Sequence, residues 1–401
     1  MNGVRERTES KPGSRAAMQF VLLLAAVSLF ADFVYEGARS VTGPYLAVLG
    51  ASGAVVGVVA GLGELLGYGL RLVSGPLGEK TRKFWPLAIL GYVVQMASIP
   101  LLALAGSWQM AALLILTERT GKAIRKPPRD VMLSHASQQI GMGWGFGLHE
   151  AIDQIGALLG PLAVAGILYW RGHYRYAFGM LLVPAVLTVA LVLVARMRYP
   201  QPENLAPKKS PTVEVKGFSR SFWIYMAGAV LVAAGFADFQ LIAFHFEKAE
   251  TFASVWIPII YAVAMAVGGA GSLIFGKLYD RYGIGVLIPL TLISAAFAPL
   301  VFLGGFGAAV AGASLWGLGM GVHDSIMPAA VARMVPAHRR SSAYGVFTAA
   351  YGIAWFLGSA AMGVLYDFSI PAVVIFCVVL ELLSLPIFFR VRSLTRQQAV
   401  S

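Results

Sequence analysis

The chain has 401 residues, of which 58% are hydrophobic and only 12% are charged. Soluble domains carry about 25% charged residues, so this composition excludes an ordinary soluble protein. The formal net charge of +12 could indicate nucleic-acid binding. However, most basic residues lie at the ends of the predicted helices that face one side of the membrane. This asymmetry follows the positive-inside rule, so we expect both termini in the cytoplasm and no nucleic-acid partner.

Apolar segments of about 20 residues recur along the chain, and each is long enough to cross a hydrocarbon core about 30 Å thick. The predicted membrane spans are 17–38, 53–74, 85–105, 108–127, 143–169, 174–195, 221–245, 252–275, 284–304, 307–330, 342–366 and 370–390. The first span follows a basic N-terminus, as in a signal peptide, but its length and Asp32 favour a retained helix. The sequence therefore predicts an all-α membrane protein with 12 transmembrane helices.

The connection between spans 6 and 7 is unlike the others, because it is rich in proline and basic residues, as in an extended linker. It divides the chain into an N-terminal cytoplasmic tail (1–16), an N-terminal six-helix bundle (17–195), a cytoplasmic linker (196–220), a C-terminal six-helix bundle (221–390) and a C-terminal cytoplasmic tail (391–401).

The two halves carry a weak internal repeat. The tetrad Phe-Ala-Asp-Phe at 30–33 recurs at 236–239, and Pro128 and Gly145 have counterparts 200 residues later. Duplicated six-helix halves with a substrate site between them are a known plan of secondary transporters. We therefore expect two pseudo-symmetric six-helix bundles.

The loops after spans 2 and 8 carry related patterns. The first copy has Gly75, Leu77, Glu79 and Lys80, and the second has Gly276, Leu278, Asp280, Arg281 and Gly283. With the helix count, the linker and the duplication, these loops resemble the Gly-x-Leu-x-Asp-Arg-x-Gly-Arg-Lys signature of the major facilitator superfamily. The first copy has Arg82 in place of the second glycine, and the second copy lacks the final basic pair. The resemblance implies a transporter whose gating involves these loops; the alternative is a solvated turn.

Segment 118–130, in helix 4, is similar to a pattern in one bacterial group of these transporters. This similarity does not indicate a substrate.

Nine acidic residues lie at membrane depth: Asp32, Glu36, Glu64, Glu118, Glu150, Asp153, Asp238, Asp324 and Glu381. A charge in the membrane centre costs about 2.5–3.5 kcal/mol, so such residues normally face a cavity or a partner. Asp32 and Asp238 occupy equivalent positions of the repeat, and the resemblance implies that their helices line a central cavity.

Desolvation raises the pKa of a carboxyl group, which suits reversible protonation. We therefore interpret Asp32, with Glu36 on the same helical face, as the leading proton-coupling candidate; the alternative is a structural contact, such as a pair with Arg39. Asp238 is a further candidate. His323 and Asp324 could relay protons or form a satisfied buried pair.

Helices 4 and 5 carry stripes of opposite charge. Helix 4 presents Glu118, Lys122 and Arg125, with Arg119 one step round, and helix 5 presents His149, Glu150 and Asp153. These stripes predict an ion-pair network at the inner mouth of the cavity. A second interpretation is that Arg119 or Lys122 attracts an anionic group of the substrate. We interpret Glu64 and Arg71, seven apart on helix 2, as packing or gating partners.

The sequence has no phosphate-binding GxxxxGK[ST] loop, no Cys/His metal spacing and no nucleophile–base signature. We therefore predict no enzyme activity, cofactor or metal site. The favoured hypothesis is a monomeric transporter in the inner membrane of a bacterium that exports a small organic solute in exchange for protons. Uptake by proton symport is the alternative, and a non-transporting membrane sensor is the alternative of a different class.

Overall fold

The computed structural model describes residues 12–81, 83–201, 218–335 and 340–398, and within these ranges the regular structure is entirely helical. The first half contains α1 (Pro12–Val48), α2 (Gly53–Thr81), α3 (Phe84–Leu101, then a short turn of helix at Leu102–Leu104), α4 (Trp108–Ile140), α5 (Met142–Arg171) and α6 (Tyr174–Met180 and Leu182–Arg198). The second half contains α7 (Arg220–Gly235 and Phe239–Lys248), α8 (Trp256–Tyr282), α9 (Leu287–Ser294 and Phe297–Leu303, after a turn at Gly283–Val286), α10 (Phe306–Gly321, Val322–Ile326 and Met327–Met334), α11 (Arg340–Phe368) and α12 (Ile370–Gln398).

These twelve helical segments confirm the predicted all-α membrane fold. In the described part of the chain, nine stretches are long and apolar enough to span a membrane. Helix α4 does not qualify by apolarity because charged residues interrupt it, although its 33 residues extend about 50 Å. Local signals set some ends: the Ser107 and Ser219 side chains cap the first turns of α4 and α7.

Small residues allow the helices of the first half to pack closely. Gly156 and Gly160 of α5 lie against the backbone of α1 at Leu29 and Phe33, where a Cβ atom would collide with a backbone carbonyl. Close approach of backbones replaces the hydrophobic driving force that is absent between helices in lipid. The α1–α5 pair thereby holds Asp32 and Asp153 in one half of the molecule.

Helix α7 is interrupted between Gly235 and Phe239, whereas α1 is continuous through the same tetrad. The indole Nε1 of Trp316 donates to the carbonyl of Ala237 in the interruption, at 2.8 Å. Nearby, α10 contains a wider π-helical turn at Val322–Ile326. The His323 ring in this turn lies 4.3 Å from the ring of Phe236, so the two irregularities pack together.

The halves contact each other toward one end of the bundle. We call the end where α1 begins and α12 ends the terminus end, and the opposite end the far end. At the far end, Asp367 of α11 accepts hydrogen bonds from the backbone N–H groups of Gly53 and Ala54, at 2.7 and 2.8 Å. Tyr174 donates to Glu247 across the halves at 2.7 Å. These contacts join the two bundles at the far end, beside the connections between successive helices.

Candidate functional site

A cavity of about 560 Å3 lies between the two halves. Helices α1, α2, α4 and α5 form one wall, and α8, α10 and α11 form the other. The lining extends along α4 to Leu133 and along α5 to Phe146, so the cavity faces the terminus end.

All charged residues among the described lining residues belong to the first half. The basic ones are Arg39, Arg71, Arg119, Lys122, Arg125, Lys126 and Arg129, and the acidic ones are Asp32, Glu36, Glu64, Asp130, Glu150 and Asp153. The opposite side, which we call the second-half wall, consists of Met265, Gly268, Gly269, Ser272, Gly317, Met320, Gly321 and Trp355. The cavity is therefore charged on one side and mainly apolar on the other.

Asp32 lies on the cavity wall and forms an ion pair with Arg125, whose Nη2 is 3.6 Å from Oδ1. Arg125 also donates to Gln95 and, at 3.2 Å, to the hydroxyl of Tyr92. Gln95 in turn donates to Glu118 at 2.7 Å. Gln95 is fully buried, so one amide of α3 bridges an arginine and a glutamate of α4.

Glu64 forms ion pairs with two cations from different helices. Its Oε1 lies 3.2 Å from Nη1 of Arg119 and 3.6 Å from Nη2 of Arg39. Arg119 also donates to the hydroxyl of Tyr35 and lies 3.7 Å from Glu118. Helices α1, α2 and α4 are thus joined through one carboxylate.

Arg39 connects this network to the second half, because its Nη2 lies 3.9 Å from Oδ1 of Asp238. The other carboxylate oxygen of Asp238 accepts from Trp355 at 3.0 Å and from Ser359 at 2.7 Å. Asp238 is only 1% exposed and is not among the cavity-lining residues. Its contacts make it a buried link between α1, α7 and α11.

Glu36 both lines the cavity and contacts the second half. It lines the cavity and accepts a hydrogen bond from Tyr261 of α8. It thus faces the cavity while also linking the halves.

On α5, His149 is connected to α4 through a serine. Arg129 donates to Ser28 at 3.0 Å, and the Ser28 hydroxyl lies 2.8 Å from Nε2 of His149. The oxygen accepts from Arg129, so the hydroxyl proton can point to Nε2, which then acts as an acceptor. One ligand atom from each of His149, Glu150 and Asp153 lies within 4.8 Å of the others. With Nε2 as the acceptor, Nδ1 of the neutral ring carries the proton, so neither nitrogen offers a free lone pair to a metal, and the guanidinium of Arg129 repels cations.

Two cations of the cavity form no ion pair with any described residue. The amine of Lys122 lies 3.2 Å from the centroid of the Tyr35 ring, and the guanidinium of Arg71 lies 5.4 Å from that of Tyr68. The Nε of Arg71 is buried without a hydrogen-bond partner. By contrast, Arg39 and Arg125 are each paired with a carboxylate.

The remaining predicted residues lie away from the cavity or cannot be placed. His323 packs against the rings of Phe236, Tyr351 and Trp355. Lys80 is an exposed residue in the last turn of α2, and Gly276, Asp280 and Arg281 lie in the last two turns of α8. The backbones of Gly75, Glu79 and Asp324 are helical, but the side chains of Glu79 and Asp324 lie outside the described residues.

Sequence reasoning missed several residues of the site. Gln95 is a lone amide in an apolar segment, and this pattern could have identified it. Arg129 and Asp130 are the last residues of the helix 4 segment 118–130, but the sequence predicted no function for them. Ser28 and Tyr261 carry no signal, because a hydroxyl in an apolar helix normally bonds to its own backbone.

Comparisons with known proteins place this geometry in context. The family model described as Major Facilitator Superfamily matches residues 21–322 and 286–400. The uncharacterized protein Rv2265 of Mycobacterium tuberculosis (strain ATCC 25618 / H37Rv) is 42% identical over 385 residues, which cover 94% of each chain. The uncharacterized MFS-type transporter MJ1317 of Methanocaldococcus jannaschii is 27% identical over 69% of this chain and 70% of its own.

Solved structures share the fold at low sequence identity. The crystal structure of the nucleoside transporter NupG superimposes with a TM-score of 0.73 at 17% identity, covering 94% of this chain and 99% of that one. A bacterial homologue of the human lysosomal transporter Spinster, in an inward-facing and unoccupied conformation, gives 0.69 at 15% identity, covering 96% and 98%.

Proposed function

Because the chain belongs to the major facilitator superfamily, we propose that this multi-pass membrane transporter moves a small organic solute by alternating access and couples the movement to protons. The observation that supports this proposal is the charged cavity between the two halves. Within the described ranges, five side chains join the halves through hydrogen bonds or ion pairs that lie level with the cavity or toward the far end: Asp367, Glu247, Gln240, Glu36 and Asp238.

This arrangement suits one state of a rocking cycle. Breaking the links of Asp367, Glu247, Gln240, Glu36 and Asp238 would open the far end, while closure of the terminus end would complete the exchange. With both termini in the cytoplasm of a bacterium, as we propose, the present conformation is open to the inside. We propose that the transporting unit is a monomer, because the cavity is formed within one chain.

Asp32 is the proposed proton carrier. It faces Arg125 directly, and Lys122, Lys126 and Arg129 of α4 also attract its carboxylate, so its protonation depends on these cations moving away or binding another anion. His149 and Asp153 of α5 border the same cavity. Protonation of Asp32 would remove its pairing with Arg125 and free the guanidinium to bind elsewhere. Proton binding at Asp32 would therefore change the charge that a bound solute meets, which couples the two binding events. We propose export by antiport as the direction, and the imposed pH gradients distinguish it from symport.

The proposal is tested by a substrate screen in proteoliposomes under imposed pH gradients of both signs. We expect substrate to move outward when the imposed pH gradient drives protons inward. The Asp32→Asn variant should lose uphill transport and its pH dependence but keep downhill exchange of substrate. The exposed Glu250→Gln serves as the control and should behave like the parent protein.

Two results would contradict parts of the proposal. Uphill transport by Asp32→Asn with unchanged pH dependence would remove Asp32 from proton coupling. Uptake driven by the same gradient would replace antiport by symport.

A further inference from the structure

The two walls of the cavity present different chemistry to a solute. The wall of the first half contains two cations, Lys122 and Arg71, without an ion pair in the described part of the chain. Both lie close enough to Glu64 to interact electrostatically, and Lys122 also interacts with Asp32 and Glu36, but none of these described carboxylates forms an ion pair with either cation. A cation within a membrane protein is costly unless it is closely paired, and an anion from outside the chain would pair with both.

The second-half wall offers no charge and little free hydrogen-bonding capacity. Its serine, Ser272, donates to the carbonyl of Gly269 at 2.9 Å. The indole N–H of Trp355 donates to Asp238, outside the cavity. The remaining surface comes from Met265, Met320 and glycines, which suits an apolar group that needs no hydrogen bonds.

We propose that the cavity binds an organic anion whose charged head pairs with Lys122 and Arg71 and whose apolar body lies against the second-half wall. This inference rests on the proposed transport function and names its substrate class. A carboxylate, sulfonate or phosphate ester accepts hydrogen bonds from both cations, which are charge-assisted and therefore strong. The volume of about 560 Å3 accommodates a head group and a ring system of drug-like size.

The unpaired cations and the apolar wall disfavour solutes of other charge types. A simple organic cation would leave Lys122 and Arg71 without an anionic partner and would add positive charge to a lining whose described residues already include seven basic and six acidic ones. A neutral apolar solute would leave both cations desolvated without a partner. A zwitterion would need a second acidic site, for which Asp153 is available because its Oδ1 is buried without a hydrogen-bond partner. The experiment distinguishes these cases.

The test measures binding of four compounds that share one ring system to the purified full-length protein in detergent, by isothermal calorimetry. The probes are naphthalene-2-acetate, its amide, 2-(naphthalen-2-yl)ethylamine and 3-(2-naphthyl)alanine. We expect the carboxylate to bind at least about tenfold more tightly than the other three. Equal or tighter binding of the amide, the amine or the amino acid, or no binding of the carboxylate, would overturn the proposal.

Matched variants separate the contribution of the charged head to affinity from that of the apolar body. Lys122→Gln should weaken carboxylate binding by about 10- to 100-fold and leave amide binding unchanged, because only a charge-assisted contact is lost. Met320→Gln should weaken both by similar factors. Lys122→Arg should retain most of the affinity, and Arg198→Gln, an exposed cation outside the cavity, should have no effect. An unchanged preference for the carboxylate in folded Lys122→Gln protein would contradict the assignment.

This experiment fails independently of the proposed transport function. Binding is measured without a membrane or a gradient, so an absence of anion selectivity leaves solute transport in proteoliposomes untouched. Conversely, selective anion binding without any gradient-driven flux would retain the ligand class and reject coupled transport.

Discussion

Arg39 is the residue through which the charges of the first half reach the second. It pairs with Glu64 of its own half at 3.6 Å and lies 3.9 Å from Asp238 across the interface. Both Arg39 and Asp238 are buried, at 8% and 1% exposure, so solvent does not screen their interaction. A buried charge that loses its partner is strongly destabilised. We therefore expect Asp238 to act through this link rather than through contact with a solute.

A double-mutant cycle tests the link. Arg39→Gln and Asp238→Asn should each lower stability, and the double variant should be less destabilised than the sum, with a coupling energy of about 0.5–3 kcal/mol. The measurement is reversible unfolding in mixed micelles. The control cycle pairs Arg39→Gln with the exposed Glu250→Gln, which should be additive. An additive Arg39–Asp238 cycle would show that the pair contributes no interaction energy.

Gln95 is a second buried link, between Glu118 and Arg125. Gln95→Leu keeps the approximate volume but leaves Glu118 and Arg125 without the bridging amide, so we expect a loss of about 1–3 kcal/mol in the free energy of unfolding. Gln154→Leu is the control: that exposed amide donates to the exposed Glu150, so its replacement should change stability little. Equal effects of the two substitutions would mean that burial of the bridge does not matter.

The charged residues of the site could be predicted from the sequence, but their pairing could not. Asp32 stands out as an acid in an apolar segment, yet its partner is Arg125 rather than the nearby Arg39. Glu381 stands out equally but is 1% exposed and lies away from the cavity. Hydropathy reports the depth of a residue in the membrane. The direction of its side chain depends on which helices pack beside it.

At the scale of helices, the crossing of α2 and α11 depends on facing glycines. A Cβ at Gly57 would lie 2.7 Å from Cα of Gly363, closer than real Cβ atoms approach other atoms. These helices belong to different halves, so the crossing forms part of the contact between bundles. A larger residue there must separate the helices or shift their backbones.

We predict that Gly57→Ala lowers the melting temperature by several degrees, because the collision is with backbone that cannot rotate away. Gly69→Ala on the same helix is the control: a Cβ there meets nothing within 4 Å, and alanine favours helix by up to about 1 kcal/mol. Thermal unfolding in detergent measures both. A melting temperature for Gly57→Ala equal to or above that of Gly69→Ala would contradict the close crossing.

Helix boundaries show what apolarity can and cannot predict. The predicted span 108–127 ends at a double proline, but α4 continues through Pro127 and Pro128 to Ile140. Apolarity predicts only the part of a helix that suits the membrane, whereas backbone hydrogen bonding continues beyond it. The interruption of α7 was also missed, because the same tetrad forms continuous helix in α1. Gly235, which precedes the second copy, was the available signal.

At the scale of the whole molecule, the two halves share a helix count but differ in what they contribute. The duplication predicted a cavity between similar bundles, and the structure places every described charged lining residue on one side. The far end is held by a contact that the duplication did not indicate. Asp367 accepts from the first N–H groups of α2, where the helix dipole favours a negative charge, so one half caps a helix of the other.

This cap should bias the equilibrium between the two access states. Asp367→Ala removes an exposed N-cap contact worth about 0.5–1 kcal/mol, so the far-end-open population should rise by about 2- to 5-fold. Spin labels at Val48 and Ala249, in a Cys377→Ser background, would report a larger fraction of long distances by electron paramagnetic resonance. Glu250→Ala removes an exposed acid at the same end that accepts no such bond, and it should leave the distribution unchanged. If Asp367→Ala left the distances unaltered, the cap would not contribute to closure, and the far end would depend on helix packing and buried links such as Arg39–Asp238.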